Sequence, residues 1–226
     1  MKKLFTLCFL ALMPLLAMAD QSGSCGDNLT WTYTESTQTL AISGSGAMYD
    51  YTMDTPWNTH IEQIQTIEIG EGVTSIGVGA FVLCSVATSA SIPNSVTKID
   101  NGAFTACAAL TSITIPANVT SIGNDAFMGC LSLATVNVGA TTPPALGSQA
   151  FEMISDNAKI YVPAGTADAY KAAAGWSNYA SMIEDDSAMH TLTLNGDNQS
   201  GSEPLKVIKN GQLFIGNYTV AGQRVR

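Results

Sequence analysis

Between residues 67 and 151 the apolar positions return at a fixed step of 23. Ile69, Ile92, Ile115 and Val138 form one such series. Val73, Val96 and Val119 form a second, Ile76, Ile99 and Ile122 a third, and Phe81, Phe104 and Phe127 a fourth. Each period contains one run of alternating apolar and polar residues. In "TSITIP" (111–116) Ile113 and Ile115 alternate with Ser112 and Thr114, the period of a half-buried strand. Pro116 lacks a donor and ends the run. The remainder of each period is short, glycine-rich and apolar at fixed steps, with no room for a long helix. One copy cannot bury its own apolar side, whereas stacked copies share a continuous core. The pattern therefore predicts parallel strands about 4.8 Å apart. Inward columns of Ile, Val, Leu and Phe would each contribute about 1.5–3 kcal/mol per fully buried side chain. The copy beginning at "NVGATTPPALGSQAF" carries one extra residue, which places its phenylalanine at Phe151. In the copy at 80–91, Ala87 and Ala90 stand where the next copies have Leu110, Ile113 and Leu133, Val136, so that layer is expected to be less well filled.

The framework "IP..VT.I...AF..C..L..I.I" across about 67–151 resembles the BspA-like leucine-rich repeats of bacterial surface proteins. "SGSCGDNLTWTY", "LAISGSGAMYDY" and "TPW" resemble the segment that precedes such repeats, and read as a β-hairpin cap with strands near 29–34 and 39–43. "KIYVPAGTADAYKAAAGW" (159–176) resembles their closing unit, a strand and a short helix with Gly175 suited to its C′ position. The expected fold class is an α/β leucine-rich-repeat solenoid dominated by strands, a parallel β ladder with short turns and 3-10 segments. The chain divides into a signal peptide (1–19), the cap (20–60), the solenoid with its closing repeat (61–183), a linker (184–204) and a small β tail (205–226). Asn210-Gly211 in the tail is a two-residue hairpin signal. "HTLTLN" and "YTVAGQRV" also read as strands, and the tail resembles carboxy-terminal segments of exported Bacteroidetes proteins, some of which are sorting signals.

Lys2, Lys3, the apolar run "LFTLCFLALMPLL" and "AMA" before Asp20 have the form of a cleaved export signal. Removing it takes two lysines and changes the formal charge from −9 to −11. From Asp20 to Thr97 there is no Lys or Arg among eight acids. That distribution argues against nucleic acid or an anionic membrane as partner, since both need clustered cations. No membrane insertion is expected once the signal is removed. The short "DSA" (186–188) matches a Bacteroidetes O-glycosylation pattern.

Cys84, Cys107 and Cys130 follow the phenylalanines at the same step and raise the question of chemistry. Zinc requires about four ligands converging on one point, and three cysteines on successive layers form a line instead. The expectation is a core ladder of Phe81, Phe104, Phe127 and Phe151 beside Cys84, Cys107 and Cys130, with the sulfurs as buried free thiols. A disulfide between neighbouring layers remains geometrically open. The two histidines, His60 and His190, sit in no motif with Ser, Cys or carboxylate, and no phosphate-binding or hydrolase motif occurs. No catalysis, no cofactor and no metal are expected.

Two outward columns remain: Thr66, Ser89, Ser112, Thr135 and Glu68, Ser91, Thr114, Asn137. Either they solvate a strand face, for which threonine has good propensity, or they form a polar strip that contacts a ligand. The resemblance implies the second use: a noncatalytic exported or cell-surface binding protein whose partner is an extracellular protein or glycan, on host matrix or other cells. The alternative is a structural or self-associating envelope component.

Overall fold

The computed structural model describes residues 20–186 and three further strands, Lys206–Lys209, Gln212–Ile215 and Tyr218–Thr219. The signal segment, "HTLTLN" and "DSA" apart from Asp186 lie outside the described residues.

The cap is a meander of three antiparallel strands, Gln21–Gly26, Leu29–Thr34 and Thr39–Gly44. The hairpin expected from sequence is thus extended by an edge strand whose Ser/Gly composition, "QSGSCG", carries no strand signal. Leu29, Trp31 and Tyr33 alternate inward with Leu40 and Ile42. The third cap strand then pairs in parallel with the first repeat strand, Leu40 opposite Ile67 and Ile42 opposite Ile69. Antiparallel cap and parallel array therefore share one sheet.

Each layer of the array has three sides. The front ladder runs through Thr66–Ile69, Ser89–Ser91, Ser112–Ile115, Thr135–Val138, Lys159–Val162 and Ile183–Asp185. A second ladder of short parallel strands joins Gly46–Ala47, Val73–Ile76, Lys98–Ile99, Ser121–Ile122 and Ala145–Leu146 without a break. The front ladder is interrupted: it divides into two sheets between Ser89–Ser91 and Ser112–Ile115. The interruption falls at the layer of Ala87 and Ala90. Thr88 and Ala134 each reach back one layer through an N–H···O bond of 2.9 Å, to Gln65 and Thr111, while Thr111 makes no such bond to Thr88. Gly70 and Gly139 continue the ladder beyond the strands, whereas Pro116 has no N–H to give at that step. Ile92 is only half-buried there, although Ile69, Ile115 and Val138 are buried.

The third side is an arc of turns. Its phenylalanines stack with centroids 5.1, 5.2 and 5.3 Å apart from Phe81 through Phe104 and Phe127 to Phe151. Trp57 closes the column at one end, 5.8 Å from Phe81, and Trp176 at the other, 5.9 Å from Phe151. Backbone N–H groups of Gly79, Phe81 and Leu83 donate to Asn101, Ala103 and Thr105 of the next layer, and the pattern repeats from 102, 104 and 106 and from 125, 127 and 129. Two positions per layer take left-handed backbone: Gly79, Gly102, Asp125 and Gln149, then Leu83, Ala106, Gly129 and Met153.

Cys25, Cys84, Cys107 and Cys130 are all buried free thiols. The Cys107 and Cys130 thiols donate to the carbonyls of Phe81 and Phe104, each at 3.2 Å, so they link layers as well as fill them.

The closing unit departs from expectation at one residue. The helix spans Ala167–Ala172 and stops because Ala173 is extended. Gly175, with φ of 80°, instead starts a 3-10 turn at Trp176–Tyr179. The aromatic groups here satisfy the backbone of the last layers: Tyr170 Oη donates to Ala140 O at 2.6 Å and Trp176 Nε1 to Pro144 O at 2.8 Å, while Tyr179 Oη accepts from Phe151 N at 3.2 Å. Strand Ile183–Asp185 extends the ladder two residues past the boundary drawn at 183, so Glu184 and Asp185 belong to the sheet rather than to a linker. Asp185 accepts from Thr166 N and Ala167 N at the start of the helix. In the tail, Lys209 lies opposite Gln212, the two-residue hairpin that Asn210-Gly211 predicts.

Candidate binding face

Alternation on the front strands fixes which side chains face outward. Ile67, Ile69, Ile113, Ile115, Val136 and Val138 are buried. Thr66, Glu68, Ser112, Thr114, Thr135 and Asn137 consequently face away from the core, as do Ser89 and Ser91. Glu68, Ser89, Ser91, Ser112 and Thr114 are exposed, and Thr66, Thr135 and Asn137 half-buried. The register brings the two columns together as the spacing required. Thr66 is opposite Ser89 and Glu68 opposite Ser91; beyond the interruption Ser112 is opposite Thr135 and Thr114 opposite Asn137.

Both rows extend further than the sequence reading took them. Toward the cap, Thr66 is preceded by Thr39 and Thr34, and Glu68 by Ala41 and Thr32. Toward the closing unit, Thr135 is followed by Lys159, and Asn137 by Tyr161 and then Glu184. Lys159 and Tyr161 were findable: they stand 24 residues after Thr135 and Asn137, the same one-residue increment that moves Phe151. Lys159 forms an ion pair with Glu184, and that carboxylate holds the ammonium above its ordinary range.

The front differs from the other sides in how its polar atoms are used. On the second ladder Thr97 Oγ1 donates to Thr74 O and Thr120 Oγ1 to Thr97 O, both at 3.1 Å. Nearby, Ser95 accepts from Gly72 N, Glu71 accepts from Asn94 N, and Asn118 donates to Asn94 O. At the next corner the Asn101 and Asn124 side-chain oxygens accept the N–H of Asn124 and Ser148, each at 2.8 Å. These side chains tie layers together, and the sequence reading missed them because single Asn and Thr residues in turns are common. Among the eight residues of the front columns, the one side-chain hydrogen bond is Ser89 Oγ to Thr66 Oγ1, at 3.4 Å. Their hydroxyl and amide groups are otherwise directed to solvent.

Three of the buried sulfurs are held in the neutral thiol form. Burial pushes the Cys84 thiol up to about 12 and Cys25 to about 11, and Cys107 rises through its hydrogen bond with Cys130 and through burial. Thiols held in the neutral form are poor nucleophiles and poor metal ligands. Among the described residues no group of three or more His, Cys, Asp or Glu side chains could hold a metal ion. His60 stacks on Tyr33 at 4.4 Å, between cap and array.

The profile of the BspA type leucine rich repeat region matches six copies over residues 59–172. That is half of the chain, and the chain belongs to this family. No curated protein matches it. Among solved structures, it is similar to a leucine-rich repeat protein from Eubacterium ventriosum (20% identity, 88% of this chain and 49% of that one, TM-score 0.46). It is also similar to a leucine rich repeat protein of T. pallidum (22% identity, 59% and 67%, TM-score 0.43). A leucine rich cell surface protein from Faecalibacterium prausnitzii is a further match (17% identity, 92% and 62%, TM-score 0.37). The chain spans about half the length of the first of these.

Proposed function

We propose that this repeat protein is a noncatalytic binding module of the cell surface or of the exported fraction, holding a protein or glycan partner on its front strand face. The observation that carries the reading is the contrast in polar-atom use. Thr97, Thr120, Asn101 and Asn124, on the second ladder and its corner, are engaged in bonds between layers, while the side chains of the front columns point outward almost unpaired. A rigid, repetitive row of unengaged donors and acceptors is suited to hydrogen bonding with an extended partner. Family membership supports a binding role in the same direction. No helix among the described residues is long and apolar enough to cross a membrane, so the surface assignment rests on the N-terminal signal and, as a further proposal, on the tail as a sorting segment.

The test is a binding screen of the full chain against matrix proteins and glycans, followed by the triple substitution Ser91→Ala, Thr114→Ala, Asn137→Ala. A partner should be found, and the triple variant should weaken it at least tenfold without loss of Tm. Unchanged affinity in that variant rejects the front face as the site.

A second reading, self-association in the envelope, draws on the arc. Leu83, Val86, Leu131 and Met153 are exposed there, and an open cleft of about 380 Å³ is lined by Tyr51, Met53, Val82 and Met128 among others. Sedimentation over a hundredfold concentration range separates the two readings. A rise in mass favours the envelope component; a constant monomer with a saturable partner favours the binding module.

A further inference from the structure

Resting on the front-face reading, we propose that the C-terminal half of that face, centred on Tyr161, is a subsite for a neutral glycan. The interruption after Ser89–Ser91 leaves this half as a separate parallel sheet of four strands, Ser112–Ile115, Thr135–Val138, Lys159–Val162 and Ile183–Asp185. Its outward row reads Thr114, Asn137, Tyr161, Glu184 in Cα register, with Ser112, Thr135 and Lys159 in the row beside it.

Three features select the partner. Tyr161 is the one aromatic among the outward residues of the described front strands, and it is half-buried rather than packed in the core. An aromatic face with a polar tip offers a flat apolar platform of the kind a sugar ring's C–H face covers. Asn137 stands on one side of that platform and Glu184 on the other, while Thr114 extends the row. Amide, carboxylate and hydroxyl groups at successive strand spacings provide both donors and acceptors, the combination that vicinal hydroxyls require. Charge then decides the class. Between residues 20 and 186 the chain has three cations, Lys98, Lys159 and Lys171, against sixteen acids. Lys159 is the one cation on this half of the face and is tied to Glu184. A polyanionic glycan would meet an acidic molecule whose local cation is already paired. A neutral polysaccharide meets a locally balanced, hydrogen-bonding surface.

The experiment titrates the full chain with cellohexaose, maltoheptaose, xylohexaose and mannohexaose, with heparin and an extended Ser/Thr-rich peptide as competing classes. Heat of binding and amide shifts in the four strands are recorded at 50 and 500 mM NaCl. At least one neutral oligosaccharide should bind, shift the amides of these strands and change Kd less than twofold with salt. Tyr161→Ala should weaken it at least tenfold and Tyr161→Phe less than threefold, both with Tm retained; Thr97→Ala, on the second ladder, should have no effect. Binding of heparin alone, or of the peptide alone at the same strands, overturns the neutral-glycan assignment and leaves the binding face intact. Oligosaccharide binding that Tyr161→Ala does not weaken overturns the subsite. Absence of binding by every probe overturns the glycan assignment, and the broader screen above then decides the face itself.

Discussion

Leu83 and Ala106 hold left-handed backbone, with φ of 63° and 60°, at a position that Gly129 occupies in the next layer at 75°. For a residue with a Cβ this conformation costs about 1–2 kcal/mol, and Leu83 is 46% exposed, so little packing offsets it. Leu83→Gly should therefore raise stability by about 0.5–1 kcal/mol after the added entropy of the unfolded chain is counted, seen as a higher Tm. The buried sulfurs give a pH dependence of definite sign. Folding raises the Cys84 thiol from its ordinary 9.0 to about 12. Below pH 9 both states keep the proton and the thiol's contribution is complete. Between 9 and 12 the unfolded chain releases it and the folded chain does not, so stability falls by about 1.4 kcal/mol per pH unit from this group. Cys25, raised to about 11, adds to the loss. Denaturant midpoints from pH 8 to 11 should decline accordingly, and thiol labelling of Cys25, Cys84, Cys107 and Cys130 should await unfolding. The Phe and Cys columns are legible in the sequence because burial demands one residue type at one step. The left-handed positions are not: Gly, Leu, Ala, Asp, Gln and Met all occupy them, since bonds between layers set the turn whatever side chain stands there.

Among the elements, the interrupted front ladder has its cause in two short side chains. Ala87 and Ala90 present a methyl group where other layers present Leu or a β-branched residue, and the strand beside them shortens to three residues. Ala90→Val should restore β-branched packing opposite Ile113 and stabilise by about 1 kcal/mol. Hydrogen exchange at Ser112 and Ile113 should slow if the two sheets join; unchanged exchange would mean that Pro116 and the missing Thr111 bond alone keep them apart. This weak layer was readable in advance from the alanines. The first strand of the cap, Gln21–Gly26, and the strand character of Glu184 and Asp185 were not, because serine, glycine and acidic residues carry little β signal and only pairing to a formed neighbour makes them strands. The two ends also differ. Tyr170, Trp176 and Tyr179 bond to backbone of the last layers, whereas Trp31, Tyr33, Tyr51 and Trp57 contribute to the cap through ring contacts such as Trp31–Trp57 at 6.0 Å and Tyr51–Trp57 at 5.6 Å.

For the whole molecule, a stack with nearest-neighbour contacts has a stability close to the sum of its layers and interfaces. Deleting residues 94–116, one full period, should leave a cooperative fold of lower Tm, with a long dimension shorter by about 4.8 Å in solution scattering. Deleting residues 94–113 instead breaks the register of Phe and Ile columns together and should abolish cooperative unfolding. The repeat, and hence the architecture, was present in the sequence, and so was the 24-residue step into Lys159 and Tyr161; the end of the front face at Glu184 was not, because an acidic run gives no strand signal until it pairs with a formed neighbour. The arc carries one consequence beyond stability. The nine backbone bonds described between its layers all run from one layer's N–H to the next layer's carbonyl. The arc is thus a polar edge whose N–H groups point toward the closing unit, while on the two ladders N–H groups such as those of Thr97, Gly123 and Ala134 point back toward the cap. The Tyr179 hydroxyl, which accepts the Phe151 N–H, caps the donor end of this edge. A chain cut after Phe151 would present that donor end uncapped, with the Phe151 N–H left without the acceptor that Tyr179 supplies.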